Sequence, residues 1–572
     1  MTERTITVGV VGLGSLGLAC AELLHEAGIP VIAVDPDPAA LAQGSARALP
    51  VSAEFAALST ADLVIESVTE DKEIKGAVLR AVAAVCAPDT VLVSTTASLS
   101  LPSLAIASGR PTRLLGLRFL VPPVPGTGCE PVPTTMSDQD AVDTLTLLLD
   151  RLPLQEKTFG PARQFARELL LGYLNRAVTL YETGYATPED IDTAMRLGCG
   201  LPTGPLALLD RLGLDVVERE LSGLYERSGR AAHAPAPLLT ALVESGRSGR
   251  KTGTGIYDYE PSGAVIPSRR TDPAEETAPR EVRRIGVVGS GTMARGIAQI
   301  TALGGLDTIL VARTREKAET AIEAIDSAMA RAVRRGQIHP DQRQAALARL
   351  HPSSVFEDLA DRDVVLEAVA EDEDVKAHVF GLLDRTCRPG AILTTTTSSL
   401  SVGNCAEATG RRGDVVGMHF FNPAPAMSLV EVCRTEFTTN DVLATAHALA
   451  RSLGKTPVDC TDRAGFIVNY LLFPYLNDAV LLAESGAASI EDLDKAVEGG
   501  LGHPLGPFAL MDAIGLDVGE AIQQRLHDVN HDPDVKPTAM LTALIRYGRL
   551  GRKTGAGFYN HVERAGRATT SG

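Results

Sequence analysis

The chain has 572 residues, 45% of them hydrophobic, and a formal net charge of −17 at pH 7. Such an excess of acid disfavours nucleic acid or an anionic membrane as the main partner. No apolar run approaches the roughly 18 residues of a membrane span, and the eight cysteines form no CxxC pair, so a cytoplasmic protein without a metal site or disulfide framework is expected. The start Met1-Thr2-Glu3-Arg4 lacks the apolar core of a signal peptide.

In chain order, residues 6–11 form an apolar strand that runs into Gly12-Leu13-Gly14-Ser15-Leu16-Gly17 and a helix pattern. A second strand, 31–34, ends at Asp35. Strand and helix signals go on alternating, which predicts a doubly wound parallel sheet over 1–162. From about Phe165 the pattern turns to long apolar-periodic helices, placed at 163–260. Proline and charge crowd residues 261–282, the predicted linker. The order then starts again with a strand at 285–288, the turn Gly289-Ser290-Gly291-Thr292-Met293-Ala294 and a strand at 308–311. A second sheet unit is placed at 283–462, helices from about Phe466 at 463–562, and a tail at 563–572. The predicted fold class is α/β plus all-α: two tandem copies of a Rossmann-type sheet domain, each followed by a helical domain.

The duplication is visible residue by residue. Val64-Ile65-Glu66-Ser67-Val68 recurs as Val365-Leu366-Glu367-Ala368-Val369, and Gly204-Pro205 through Asp210 recurs as Gly506-Pro507 through Asp512. The segment from Gly249 to Tyr257 recurs from Gly551 to Tyr559. The offset is 277 residues at the glycine turns (Gly12 to Gly289), 301 at Glu66 and Glu367, and 302 at Tyr257 and Tyr559. A period this long is domain duplication, since solenoid repeats run at roughly 20–50 residues.

In the first copy Gly12, Gly14 and Gly17 follow a strand and open a helix, and Asp35 stands 23 residues after Gly12. Glycines there allow a tight turn and close approach of a pyrophosphate, and the acid accepts from the ribose 2′-hydroxyl of NAD. NAD binding therefore stays open for the first copy. The second copy has Gly289, Gly291 and Ala294, with Ala312 in place of the acid and Arg313 and Arg315 beside it. Loss of the acid and gain of arginines favour the 2′-phosphate of NADP over NAD there.

The block Gly417-Met418-His419-Phe420-Phe421-Asn422-Pro423 through Glu431 carries one histidine and one carboxylate in an apolar setting. Histidine titrates near neutrality unaided, and a carboxylate on its other ring nitrogen fixes the tautomer, the requirements of a general base. Together with Thr397-Ser398-Ser399-Leu400 and Gly465-Phe466-Ile467-Val468-Asn469, this block makes the second copy resemble the (3S)-3-hydroxyacyl-CoA dehydrogenase family along nearly its whole length. The resemblance implies an active site of His419 as base, Glu431 orienting it, and Ser398 and Asn469 hydrogen-bonded to the reacting oxygen. It also implies that Glu371 and Lys376 reach the nicotinamide ribose, with Glu70 and Lys75 as their counterparts. Thr396 stands where the family usually has asparagine, a departure that shortens the reach toward the cofactor.

By the same offsets Ser398 maps to Ala97, His419 to Arg118, Glu431 to Glu130 and Asn469 to Arg167. Arginine stays protonated and cannot act as a base. The 24 residues missing from the first copy fall in a helical hairpin that, in the family, covers the CoA moiety. In the second copy that hairpin carries Arg331, Arg334 and Arg335. Arg335 and Asn422 are the candidate substrate contacts, and Ala328 replaces a serine of the family. The first copy thus reads as a pseudo-dehydrogenase kept as a permanent internal partner, because the family dimerises through its helical domains.

The expected function is interconversion of a (3S)-3-hydroxyacyl-CoA and its 3-oxoacyl partner with NAD(P), by the second copy only, without a metal. Alternatives are a biosynthetic enzyme acting on an acyl carrier protein thioester, a non-catalytic thioester or dinucleotide sensor, and a dehydrogenase of free 3-hydroxy acids.

Overall fold

The computed structural model describes residues 6–267 and 277–561. The expected tail 563–572, residues 268–276 of the expected linker and the first five residues lie outside the described residues.

Each copy opens with an eight-stranded sheet, and counted within its copy each sheet has the order 3-2-1-4-5-6-7-8. Strands pair in parallel except for the sixth and seventh, which run antiparallel. Strands Val8–Val11, Leu63–Glu66, Val364–Glu367 and Ile392–Thr395 are buried at every position, as a parallel sheet covered by helices on both faces requires. Strand order reverses between the first and fourth strands, and both glycine turns sit at the carboxyl end of the first. That is where doubly wound sheets take their ligands. Between the second and third strands the second copy inserts helices Arg315–Arg334 and Pro340–Leu347, tied by Arg343 Nε to Asp326 Oδ1 at 2.7 Å. The first copy has only the nine-residue helix Pro38–Ala46 there, in line with its shorter sequence.

The repeated Gly-Pro and Gly-Arg-Lys-Thr-Gly segments are structural clasps. Gly506 caps helix Pro507–Ile514, and the Asp494 carboxylate accepts from Phe508 N and Ala509 N, both at 3.0 Å, at the positive end of that helix. Tyr559 donates its phenol to the same carboxylate at 2.8 Å, while Phe558 N and Tyr559 N bond Asp512. Asp192, Asp210 and Tyr257 repeat the arrangement in the first copy. Burial pushes the Asp192, Asp210 and Asp494 carboxyls up to about 6.

The helical units touch across the copies. Helix Arg163–Glu182 of the first packs on Val468–Glu484 of the second, with Tyr173 and Tyr475 edge-on at 5.9 Å between ring centroids. Those tyrosines are 302 residues apart, the offset of the duplication. Leu169, Leu170 and Leu174 share one buried cluster with Leu471 and Leu476. Helix Pro188–Cys199 of the first copy lies on strands Leu429–Arg434 and Thr456–Thr461 of the second. Its counterpart, Ile490–Leu501, lies on strand Gly128–Val132 of the first.

At its two described ends, 261–267 and 277–282, the expected linker is held by the residues around it. Val265–Ile266 pairs with Asp258–Tyr259, and Arg280 is anchored by Asp441 Oδ2 at 2.7 Å and Asp414 Oδ1 at 2.8 Å. A guanidinium with two carboxylates holds the chain against the second sheet unit. Among the described residues no helix is long and apolar enough to cross a membrane.

Candidate active site

His419 and Glu431 face each other because strands Val415–Phe420 and Leu429–Arg434 pair antiparallel in the register that puts them opposite. Imidazole Nδ1 lies 2.7 Å from Glu431 Oε2. The other carboxylate oxygen accepts from Ile467 N at 3.0 Å and Val468 N at 2.9 Å, at the start of helix Val468–Glu484. Glu431 has no solvent exposure. An acceptor-only carboxylate makes Nδ1 of His419 the donating nitrogen, which leaves Nε2 of a neutral imidazole free to accept a proton. The rings of Phe421 and Phe466 stand at 4.5 and 5.6 Å from the imidazole. Gly465 and Phe466, at φ of 81° and 46°, form a left-handed pair that turns the chain and aims the two N–H groups at Glu431.

Ser398 lies in the loop after strand Ile392–Thr395, and this loop wraps the Glu371 carboxylate. Glu371 Oε1 accepts from Thr397 Oγ1 at 2.5 Å, Ser398 N at 2.9 Å and Ser399 N at 3.2 Å. Asn469 Nδ2 donates to the Ser398 carbonyl at 3.3 Å. The structure thus brings the four predicted residues together as two pairs, His419–Glu431 and Asn469–Ser398, joined through the first residues of one helix.

Lys376 is 2% exposed and bonds both Glu367 oxygens at 2.9 Å. Glu367 is itself fully buried and also accepts from Thr395 Oγ1 at 2.7 Å and Val369 N at 2.7 Å. Lys376 reaches Glu371 Oε2 at 3.4 Å, so it holds the carboxylate that holds the Ser398 loop. Glu367 was visible in sequence only as a repeat marker, and Thr395 and Thr397 only as parts of a motif. Thr396 is partly exposed, and its N–H bonds Glu367 O at 3.0 Å.

At the glycine turn Gly289 takes a φ of 133°, and a Cβ there would lie 2.4 Å from Ala368 O. Gly291 caps helix Thr292–Leu303, and a Cβ on it would meet nothing within 4 Å. This open cradle at a helix start fits the pyrophosphate of a dinucleotide. Ala294 is fully buried under the turn, so it is a packing residue and not a cofactor contact. Its glycine counterpart, Gly17, sits where a Cβ would lie 1.8 Å from Gly12 O, with Gly12 at a φ of 90°. The wider φ of Gly289 accompanies the methyl. In the first copy Asp35 accepts from Leu13 N at 2.7 Å, which places its carboxylate at the turn formed by Gly12, Gly14 and Gly17.

Ala312 is buried and Arg313 exposed, while Arg315 opens a helix and pairs with Glu319 one turn on at 2.8 Å. Exposed pairs of this spacing are weak, about 0.3–0.5 kcal/mol, so Arg315 is lightly held. Arg331, Arg334, Arg335 and Asn422 are all exposed.

The first copy keeps the framework and loses the groups. Arg118 stands opposite Glu130 in the register of His419 and Glu431, 3.4 Å from its carboxylate. Arg167 bonds Glu220 at 2.8 and 3.1 Å and the Leu120 carbonyl at 3.0 Å. Buried Glu66 and Lys75 pair at 2.8 Å, and Glu70 accepts from Ala97 N at 3.0 Å and Ser98 N at 2.9 Å. The first copy also backs the second copy's site, which the sequence did not reveal. Tyr185 donates to Thr461 O at 2.8 Å, and at Gly198 a Cβ would lie 2.9 Å from Val468 Cγ2.

Burial disfavours the charge of Glu371, but Lys376, Thr397 Oγ1 and the N–H groups of Ser398 and Ser399 outweigh it and hold the carboxyl below its ordinary 4.5. A depressed acid adds stability that is present above the unfolded value and is lost as pH falls through the folded one. Glu371→Gln should therefore lower the thermal midpoint by a constant amount at and above neutral pH. The gap to wild type should close in acid below about 4.5. Circular dichroism melts across pH test this, and a gap that stays constant into strong acid would contradict it.

Comparisons with known proteins agree with the geometry. The model of the 3-hydroxyacyl-CoA dehydrogenase NAD-binding domain matches residues 46–156 and 284–463, and that of the C-terminal domain matches 165–259 and 465–561. A 3-hydroxybutyryl-CoA dehydrogenase of Mycobacterium tuberculosis is 41% identical over 286 residues, 49% of this chain and 99% of that protein. The mitochondrial hydroxyacyl-coenzyme A dehydrogenase of Sus scrofa is 37% identical over 287 residues, 49% of this chain and 91% of that protein. The crystal structure of (S)-3-hydroxybutyryl-CoA dehydrogenase from Ralstonia eutropha is 36% identical, covers 49% of this chain and 99% of its own, and aligns with a TM-score of 0.48. Each relative spans about one copy, and both family models match twice, so the chain belongs to the 3-hydroxyacyl-CoA dehydrogenase family, as a tandem duplication.

Proposed function

We propose that the chain interconverts a (3S)-3-hydroxyacyl-CoA and its 3-oxoacyl partner, and that only the second copy performs the chemistry. One observation carries this reading: a histidine held by a buried carboxylate in the second copy, and an arginine at the same register in the first. In the oxidative direction His419 Nε2 takes the hydroxyl proton while Glu431 stabilises the imidazolium that forms. Ser398 and Asn469 fix the oxygen by hydrogen bonds, which strengthen as charge develops there. The nicotinamide, when bound, supplies the acceptor for the hydride leaving C3. Gly289 and Gly291 would hold its pyrophosphate, and Glu371 its ribose. The substrate class draws on the names of the relatives and on Arg331, Arg334 and Arg335, exposed on the hairpin and available to CoA phosphates. Asn422, exposed directly after the strand bearing His419, is assigned to the substrate.

For the second copy we assign NADP preference to buried Ala312 and exposed Arg313, with Arg315 released from Glu319 at little cost. The first copy is assigned the part of a permanent internal partner, supported by helix packing that repeats at the duplication offset.

His419→Gln should lower kcat about 10²–10⁴-fold with cofactor affinity nearly intact, whereas Arg118→Ala should leave turnover near wild type. Steady-state kinetics with a 3-oxoacyl-CoA decide, and activity within a few-fold for the His419 variant would sink the base assignment. For the cofactor, kcat/KM with NADPH should exceed that with NADH, and Ala312→Asp should reverse the order. A wild type that favours NADH refutes the 2′-phosphate reading. Residues 283–572 expressed alone should aggregate or self-associate in light scattering. A stable, fully active monomer would show the first copy to be dispensable.

A further inference from the structure

The contact between the copies carries a charge pattern that a symmetric dimer could not have. Arg176 NH1 of the first copy bonds Asp532 Oδ2 of the second at 2.6 Å. Arg230 of the first bonds Asp478 of the second, and also Asp534 at 3.0 Å. Positions 176 and 478 differ by 302, and so do 230 and 532, so the two ion pairs are the same contact made twice across the duplication. The first copy has arginine at both positions. The second has aspartate at both.

These groups are not loose surface charges. Arg176 is 14% and Asp478 12% exposed, and both lie on the two long helices that pack together, one residue from Asn175 and Asn477. Those asparagines fasten the adjoining loops, Asn175 through the carbonyls of Ala232 and Ala234, and Asn477 through those of Asp534 and Lys536. The four positions are therefore fixed in place, and their charges meet at partial burial, where attraction and repulsion are both stronger than in water.

We infer that this cluster is a recognition device that makes the first copy fit the second copy and reject another first copy, and likewise for the second. A pair of second copies would set Asp478 against Asp532, with Asp534 adding a third negative charge. A pair of first copies would set Arg176 against Arg230. Like charges placed together at an interface exclude the wrong partner, and opposite charges set the register of the right one. The partner this face fits is thus the complementary copy of the same chain. The inference rests on the internal pairing proposed above and adds its selectivity.

Full-length variants can imitate each wrong pairing. Arg176→Asp with Arg230→Asp places acid at all four positions, as a second-copy pair would. Asp478→Arg with Asp532→Arg places base at all four. The quadruple exchange, with all four changes, restores opposite charges with the signs swapped. Each double variant should lose about 5–10 °C of thermal midpoint, and the loss should shrink near 1 M salt, where the Debye length falls to roughly 3 Å. The quadruple variant should recover to within about 2 °C of wild type, because the losses come from the pairing and not from the single sites. A quadruple variant at least as unstable as the doubles overturns the inference, as do doubles that melt like wild type. Should a double variant fail to fold, the quadruple decides by the same criterion. Non-recovery with an inactive or aggregating 283–572 fragment would remove only the charge code. An active monomeric fragment would remove the internal pairing itself.

Discussion

The second copy is organised around the need to keep one carboxylate charged out of water. Glu431 has no exposure, and an ionised carboxylate in such a place must be given donors or take up a proton. Three donors come from two places: the imidazole across the strand pair, and the N–H groups of Ile467 and Val468 at a helix start. The helix start can serve only because Gly465 and Phe466 turn the chain through left-handed conformations. The same turn delivers Asn469 to the Ser398 carbonyl. A shift of the strand register by one residue would face His419 away from Glu431 and undo the arrangement at once.

The same constraint explains what the first copy was able to lose. Glu130 is largely buried and accepts from Phe159 N at 3.1 Å. Arginine opposite it supplies a permanent positive charge, so the carboxylate keeps a partner although the base is gone. An apolar residue at 118 would take that charge away and leave the acid only the Phe159 N–H. Glu66 and Lys75 survive for the same reason, since neither member of a buried pair can change alone. The first copy differs from the second at positions where the substitution leaves no charge stranded.

Much of this was legible in sequence. The duplication, both glycine turns and the shortened hairpin follow from spacing alone, and His419, Glu431, Ser398 and Asn469 stand in motifs that carry their own chemical logic. Burial was harder to read. Lys376 looks like a helix-surface lysine until the sheet places Glu367 beneath it. Ala294 looks like a cofactor-turn residue until its methyl is seen under Gly289. The Arg315–Glu319 pair is readable from its one-turn spacing. Tyr185 and Gly198 belong to the first copy yet touch the second, across 276 and 270 residues of chain, and no local pattern reports such contacts.

Fusion also changes what an interface can become. In a homodimer each substitution appears twice, once on either side of the axis, so positions that meet their own counterparts must be self-compatible. Tyr173 and Tyr475 still obey that limit and meet edge-on. Beside them Leu201 faces the cavity of about 80 Å³ that His503 also lines, although the two are the same position in the two copies. Ala232 corresponds to Asp534, which reaches Arg230. Such differences arise only where the two sides are encoded separately. The arginines at 176 and 230 and the aspartates at 478 and 532 differ between the two sides in the same way.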